Sequence, residues 1–283
     1  MHPSTRSNFS RTCLKVCQAV VMLIVTGTPV FAANADRLMV RDSVSPPHRN
    51  ELVDRLRTIT GWADLAFDDD VLRLSNASPA NGSTSARKLL TRAVSGNRMI
   101  LLEDASSRKD VIFCRVSLGR FVREIAVDAD IYVVLIDFDD FRRVLGDKQA
   151  RAAFDVGWAV LHELDHVVQD SQDSQHNAAA GDPDTAAGDC ESHINKMRRE
   201  LGLPVRNSYF FTLLPVKNDA NLVSRFVRLG FDQAEANSTK KKRYWLIWDA
   251  AIVGGVDADC SEASDRTLPS SADLLRIMTT GDR

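Results

Sequence analysis

The pattern of apolar and polar positions along the chain predicts a mixture of helices and strands, and therefore an α+β fold. Apolar residues that recur at three- and four-residue steps predict helices over residues 49–62, 86–94, 148–170, 189–201 and 220–229. Runs of β-branched and apolar residues predict strands over residues 65–67, 71–74, 99–103, 111–118, 131–136, 209–216 and 243–253.

The two clearest elements follow one another in the chain. Residues 131–136 are continuously apolar between two aspartates, which predicts a central or well-covered strand. Residues 148–170 contain no proline and one glycine, and residues such as Trp158 and Leu161 continue the helical spacing. We expect a long, mostly buried helix, followed by a loop over residues 171–188 that is rich in Ser, Asp, Ala and Gly.

The composition predicts one folded domain between two terminal segments. Of the 283 residues, 44% are hydrophobic and 26% are charged, which is typical of a globular protein. We expect a single domain over residues 33–255 and a polar, loosely held tail over residues 256–283.

Residues 1–32 have the features of a secretory signal peptide. A basic start precedes an apolar run over residues 19–25, and residues 30–32 offer a cleavage site. Residues 26–29 interrupt the run well short of the roughly 20 apolar residues that a membrane span needs. The sequence therefore predicts an exported protein, secreted or periplasmic, with no stable membrane insertion after cleavage.

The charge balance gives no indication of a nucleic-acid partner. The full chain has a net charge of −2, and removing the three basic residues of the signal peptide gives −5. The basic run over residues 240–243 directly precedes a predicted strand, where we expect it to keep the start of that strand soluble.

Three cysteines remain after signal cleavage: Cys114, Cys190 and Cys260. In an oxidising compartment one pair can form a disulfide and leave one free thiol. Their spacing does not choose the pair, and Cys190 with Cys260 is the pairing that we favour.

The chemistry of the chain centres on residues 162–166, which read His-Glu-Leu-Asp-His. Residues four apart lie on one helix face, so His162 and His166 can offer two nitrogen ligands to one cation, for which Zn²⁺ is the natural candidate. Glu163 follows the first ligand, where it can accept a proton from a metal-activated water. Two structural histidines are the alternative.

A catalytic zinc ion needs a third protein ligand and one position open to water. We favour Glu191, in the first turn of the next predicted helix, 25 residues after His166. The alternatives that remain open are Asp170, Asp189 and His193.

Two motifs of the chain together resemble a known family. His162-Glu163-x-x-His166 together with Glu191-x-x-x-Asn195 is similar to the gluzincin, or thermolysin-like, branch of the zincin metallopeptidases, over about residues 130–200. Asn195 stands where that pattern has Asp, with the expected role of a hydrogen bond to a ligating imidazole. The resemblance implies a twisted mixed sheet packed on the motif helix and on a second ligand-bearing helix, an edge strand that aligns an extended peptide, and proteolysis.

Two further assignments concern the ligands and the oxyanion. The metzincin pattern would need a third histidine six residues after His166 with a glycine between, but Gln172 and Gln169 stand there, which argues against that branch.

A donor to the developing oxyanion is also needed, and Tyr209, shortly after the second helix, is our candidate.

The sequence thus predicts an exported zinc metallopeptidase that acts on peptide or protein substrates. Glu163 is the expected general base, and His162, His166 and Glu191 are the expected zinc ligands. The alternatives are a non-catalytic exported zinc-binding protein, closed by a fourth protein ligand such as Asp165, Asp170 or Cys190, and a zinc hydrolase that acts on a non-peptide amide.

Overall fold

The computed structural model of the chain describes residues 37–254, apart from residues 76, 80, 107, 119–129, 175–187, 217, 218 and 236–238. The described part has an α+β fold with a mixed sheet, an antiparallel sheet and six helices, which confirms the predicted fold class. None of these helices has the length and apolar character needed to cross a membrane. The predicted signal peptide and polar tail lie outside the described residues.

The mixed sheet has six strands in the order β2-β3-β1-β4-β6-β5. Strands β1, β4 and β6 are parallel to one another, whereas β5 pairs with β6 in the antiparallel direction and forms the edge. The bounds of these strands are β1 Leu38–Val40, β2 Ala66–Asp68, β3 Val71–Arg73, β4 Met99–Asp104, β5 Cys114–Leu118 and β6 Ile131–Ile136.

Helices cover the mixed sheet and bury the main hydrophobic core. Side chains such as Leu52, Leu90, Ile100 and Leu164 meet in this core and are almost fully buried. The helices are α1 Pro46–Thr60, α2 Thr84–Ser95, α3 Phe138–Arg142, α4 Lys148–Ala152, α5 Val156–Gln169 and α6 Gly188–Glu200. Helix α5 packs against α1, α2, α6, β5 and β6, so it is central to the fold.

The second sheet is antiparallel throughout and encloses a second core. Phe231 and Trp248 from this sheet meet Phe113 and Ala150 there. Its strands are β7 Leu145–Gly146, β8 Val205–Arg206, β9 Thr212–Val216, β10 Asp219–Ala234 and β11 Lys241–Asp249.

The predicted long helix over residues 148–170 is two helices, α4 and α5, with a break at residues 153–155. Asp155 adopts an extended conformation, and its carboxylate accepts hydrogen bonds from the backbone N–H groups of Gly157 at 2.9 Å and Trp158 at 3.2 Å. This side-chain cap starts a new helix, because it satisfies donors that lack a partner in the first turn.

The predicted helix over residues 220–229 is wrong, because these residues belong to β10. Val227, Leu229 and Phe231 alternate with more exposed residues and pair with β11 across a long hairpin. The apolar residues therefore follow the period of two that one buried sheet face requires.

Most other predictions differ from the structure only at the element ends. Strands β4 and β6 and helices α1, α2 and α6 stand where the sequence placed them, whereas the strand predicted from residue 111 begins at Cys114. The short elements β1, α3, β7 and β8 were not predicted, since two to five residues carry too little pattern.

Candidate metal centre

Helix α5 brings two imidazoles together one turn apart. The Nε2 atoms of His162 and His166 lie 3.2 Å from each other, and their ring centroids are 4.8 Å apart. The flanking residues Leu161 and Leu164 are fully buried in the main core, which fixes the rotation of the helix. The motif pair therefore converges on one point, as its spacing predicts.

The opposite ring nitrogens have partners of their own. The Nδ1 atom of His166 lies 2.8 Å from the backbone carbonyl oxygen of Ser171. A carbonyl only accepts, so Nδ1 carries a proton and Nε2 is the ring atom that faces the centre. The Nδ1 atom of His162 faces the carboxylate of Glu191 at 3.7 Å.

Asp173 supplies a carboxylate to the same point. Its Oδ1 lies 3.1 Å from Nε2 of His162, and its Oδ2 lies 3.3 Å from Nε2 of His166. Oδ1 is buried and has no hydrogen-bond partner, whereas Oδ2 accepts a hydrogen bond from the Tyr209 hydroxyl at 2.7 Å. A buried carboxylate oxygen without a donor is costly unless a cation is present.

The electrostatics of Asp173 and His166 describe a site that attracts positive charge. Burial disfavours the charged carboxylate of Asp173, but the contacts with His162, His166 and Tyr209 outweigh it and lower its pKa. Burial also opposes a charged His166, yet Asp173 and the Ser171 carbonyl raise the pKa of that imidazole to about 9. A metal ion that binds here must therefore displace a proton from His166.

These three residues pass a simple geometric test for zinc. Zinc in a tetrahedral site with ligand distances of about 2.0–2.2 Å has its ligand atoms about 3.3 Å apart. The two Nε2 atoms are 3.2 Å apart, and Asp173 places Oδ1 3.1 Å from the Nε2 of His162 and Oδ2 3.3 Å from the Nε2 of His166. His162, His166 and Asp173 thus surround one point at separations close to this value, and we call these three residues the ligand triangle.

Glu163 lies beside this triangle and does not belong to it. Its Oε2 accepts a hydrogen bond of 2.9 Å from the backbone N–H of Val116, on the edge strand β5. Burial raises the pKa of the Glu163 carboxyl, and the neighbouring His162 and His166 partly offset that effect. A carboxylate with a raised pKa next to a metal site has the properties of a general base.

The structure does not place Glu191 where the sequence predicted it. Its carboxylate is fully buried, is bound by Arg198, and accepts a second hydrogen bond from Arg206 at 3.0 Å. Burial alone would raise its pKa, but the two guanidinium groups lower it overall. Glu191 therefore faces the outer nitrogen of His162, and Asp173 occupies the position predicted for the third ligand.

Asn195 also has a different role from the predicted one, because its side chain contacts neither imidazole. Its amide N–H donates to the carbonyl of Arg206, and its oxygen accepts from the backbone N–H of Arg206, both at 2.9 Å. The oxygen also accepts from the Arg198 guanidinium at 2.9 Å. Asn195 thus fixes the two arginines that hold Glu191.

The alternative ligands do not reach the triangle either. Asp170 ends α5 and pairs with Arg98 at 2.9 Å, Asp189 is exposed, and the Nδ1 of His193 contacts Asp165 at 2.8 Å. Among the described residues, the groups that can share a metal are His162, His166, Asp173 and Cys190.

Cys190 lies in the first turn of α6 and is fully buried. Its thiol donates a hydrogen bond to the carbonyl of His162 at 3.3 Å, and burial raises its pKa. Cys114 and Cys190 both carry free thiols. The disulfide that we favoured pairs Cys190 with Cys260, which lies outside the described residues.

Tyr209, the predicted oxyanion donor, lies at the site. Its ring stacks near that of His162, with 6.2 Å between centroids, and its hydroxyl is bound to Asp173. The guanidinium of Arg206 lies over the Tyr209 ring at 5.0 Å and binds its carbonyl oxygen. The turn that carries Tyr209 is therefore held by the same arginine that binds Glu191.

Asp173 was not among the ligands predicted from the sequence. It lies seven residues after His166, one position beyond the place where the metzincin pattern has its third histidine. Asp170 takes a left-handed conformation with φ of 53°, and this reversal turns the chain back towards the imidazoles. The signal available in the sequence was an acidic residue a few positions after the end of the motif helix.

A pocket of about 250 Å³ opens next to His162 and Glu163. Arg198 and Arg206 line it, but their charge is balanced in part by Glu191. Six aromatic side chains line it, of which Trp158 belongs to the main core and Phe113, Phe154 and Trp248 to the second core; the other two are Phe210 and Phe211.

In comparisons with known proteins, no protein-family model, no curated protein and no solved structure matches this chain.

Proposed function

We propose that the chain is an exported zinc-dependent peptidase whose metal is held by His162, His166 and Asp173, with Glu163 as general base. The observation that carries the proposal is that two Nε2 atoms 3.2 Å apart each face an oxygen of the Asp173 carboxylate, at 3.1 and 3.3 Å, with the Glu163 carboxylate beside them. In this proposal the zincin resemblance is kept for the motif helix, whereas the third ligand comes from the segment that follows α5 and not from α6.

Zinc fits the donor set, because imidazole nitrogens and a carboxylate are its usual ligands outside thiolate sites. When bound, zinc would supply Lewis acidity that polarises a carbonyl group and lowers the pKa of a water molecule. The residues of the chain would then perform the proton transfers. Glu163 would accept the proton of the attacking water and deliver it to the leaving amine.

The edge strand β5 supports a peptide as the substrate. The backbone N–H of Val116 points to Glu163 and therefore away from β6. Main-chain groups alternate in direction along an antiparallel strand, so Cys114 and Leu118 face the same side, with which no described strand pairs. The N–H of Cys114 already donates to the Ile112 carbonyl at 2.7 Å, which leaves the N–H of Leu118 and the outward carbonyls for a substrate. An extended peptide can pair with this edge and pass Glu163 and the metal ligands as it does so.

The aromatic pocket also supports a peptide as the substrate. A substrate that pairs antiparallel to β5 runs towards Phe113 and Cys114, which line the pocket beside Glu163. The pocket would therefore receive a side chain on the carboxyl side of the cleaved bond. Its walls favour a large apolar side chain, because burial of apolar surface against aromatic rings is stabilising.

We assign Tyr209 as the donor to the oxyanion. Its hydroxyl lies at the metal ligands, with Asp173 Oδ2 as its partner at 2.7 Å in this structure. A phenol that donates at this place can transfer its hydrogen bond to a developing negative charge on the substrate. Arg206 holds the backbone of Tyr209 and would limit how far the ring moves.

A second candidate is a non-catalytic zinc site closed by Cys190. The observation in its favour is that the Cys190 sulfur belongs to the group of potential ligands. Against it, the thiol has a raised pKa and is already bonded to the His162 carbonyl, whereas zinc binds the thiolate.

The direct test of the function is a Glu163→Gln variant of the mature chain, assayed on an unfolded, fluorescently labelled protein. We expect the variant to keep one zinc per chain and to lose hydrolysis, because an amide cannot accept the proton. Glu235→Gln, at an exposed position, is the matched control and should keep both properties. Hydrolysis by Glu163→Gln at the wild-type rate would refute the proposal.

A further inference from the structure

Asp165 is a buried carboxylate within the motif that the proposed chemistry does not use. It is completely buried on α5. Its Oδ2 accepts hydrogen bonds from the Ser171 hydroxyl at 2.7 Å and from Nδ1 of His193 at 2.8 Å. Its Oδ1 accepts from the side-chain amide of Gln169. Donors from α5, from α6 and from the segment between them therefore meet on one carboxylate.

Ser171 connects this carboxylate to a metal ligand. Its hydroxyl binds Asp165, while its carbonyl oxygen fixes Nδ1 of His166 at 2.8 Å. Ser171 also lies directly after Asp170, where the chain reverses, and two residues before Asp173. The position of Ser171 thus affects both His166 and the path to Asp173.

The far end of this segment is fastened to α6. The backbone N–H of Cys190 donates to the carbonyl of Gln172 at 3.3 Å, and Asp173 forms an antiparallel bridge with Gly188. Gly188 has φ of +75°, and a Cβ there would lie 2.4 Å from the Ser174 nitrogen. His193 on the same helix reaches back to Asp165, so α6 and α5 hold the segment from both sides.

We propose that Asp165, bound to Ser171 and His193, is a positioning residue that places Asp173 for zinc; this inference rests on the metal site of the proposed function. Asp165 binds no metal itself. It holds the segment in its ligating conformation before the ion arrives, so zinc binding does not have to order that segment. Outer-shell contacts of this kind typically change metal affinity 10–100-fold.

The test is the zinc dissociation constant of an Asp165→Asn variant, measured by competition with a chromogenic chelator. Asparagine keeps the shape of aspartate but has one acceptor oxygen, so an amide N–H would face one of the present donors. We expect the dissociation constant to rise about 10–100-fold. Asp54→Asn, at an exposed position on α1, should match the wild type.

A double-mutant cycle separates positioning from general stabilisation of the fold. If Asp165 acts through Asp173, Asp165→Asn should cause a smaller loss when it is added to Asp173→Asn than it causes alone. Unchanged affinity in the single variant, or an equal further loss in the Asp173→Asn background, overturns the inference. A wild-type chain that binds no zinc overturns the proposed function instead, so the two failures are distinguishable.

His193 provides a second pair of variants in case Asp165→Asn does not fold. His193→Asn keeps an N–H at the place of Nδ1, whereas His193→Ala removes it, and the side chain is 43% exposed, so both should fold. We expect weaker zinc binding in His193→Ala and near-wild-type binding in His193→Asn. Wild-type affinity in His193→Ala would contradict the inference.

Discussion

Two carboxylates lie on opposite sides of the His162 imidazole and have different surroundings. Asp173 faces Nε2 and has one buried oxygen without a donor, whereas Glu191 faces Nδ1 and is bound by two arginines. A carboxylate that two guanidinium groups already hold is poorly placed to ligate a metal. Glu191 neutralises the two buried arginines and lies 3.7 Å from the Nδ1 of His162.

This difference predicts opposite results for Asp173→Asn and Glu191→Gln. Asp173→Asn should weaken zinc binding by more than about 100-fold, beyond the usual range of outer-shell changes, without destabilising the metal-free fold. Glu191→Gln should leave two buried arginines poorly paired and lower the free energy of unfolding by about 3 kcal/mol or more. Zinc titration measures the first effect, and urea unfolding of the metal-free variants measures the second. Zinc binding that is lost in Glu191→Gln and kept in Asp173→Asn would identify Glu191 as the ligand instead.

At the scale of elements, the start of α5 depends on one buried carboxylate. Asp155 caps the helix, and burial raises the pKa of its carboxyl to about 6, although the Trp158 N–H and Arg55 oppose the shift. The folded chain therefore retains a proton between pH 4 and 6 that the unfolded chain releases. The contribution of this group to stability is complete below about pH 4 and is lost as the pH rises through about 6.

An Asp155→Asn variant should remove this pH dependence. The amide oxygen still caps the helix, but the side chain no longer ionises. A shift of two pKa units corresponds to about 3 kcal/mol at most. In urea unfolding of the metal-free protein between pH 4 and 7, the wild type should lose stability relative to Asp155→Asn as the pH rises. If the stability of the wild type and of Asp155→Asn changed with pH in parallel, the raised pKa of Asp155 would be contradicted.

The sequence predicted those elements whose cause is local. The spacing of apolar residues identified most of α5, and the two histidines one turn apart identified the centre of the site. The Asp155 cap was missed because it interrupts a pattern that is continuous on either side. The helix predicted over residues 220–229 failed because short apolar runs fit either period until β11 supplies the partner strand.

Asp173 could not be assigned from spacing alone. Its place depends on the left-handed turn at Asp170 and on contacts with Ser171 and Gly188, which are tertiary and not periodic. Glu191 lies close to His162, as its place in the next helix suggested, but it faces Nδ1 at 3.7 Å and is bound by two arginines. A resemblance limited to one helix does not fix where the next ligand comes from.

At the scale of the molecule, two sheets and two cores enclose the candidate site. The mixed sheet supplies the open edge of β5, while Phe231 and Trp248 of the antiparallel sheet belong to the core behind the aromatic pocket. The chain passes from one core to the other at the start of α5, since Phe154, just before the helix, packs against the second core and Val156 and Leu164 belong to the first. The pocket beside Glu163 is lined by residues of both cores, among them Trp158 and Trp248.

The central claim is a zinc site of two imidazoles and the Asp173 carboxylate with a position open to water. X-ray absorption at the zinc edge of the loaded mature chain tests it directly. We predict four nitrogen or oxygen neighbours at about 2.0–2.1 Å, outer-shell scattering from two imidazoles, and no sulfur. A zinc–sulfur distance of about 2.3 Å would place Cys190 on the metal and contradict the catalytic account.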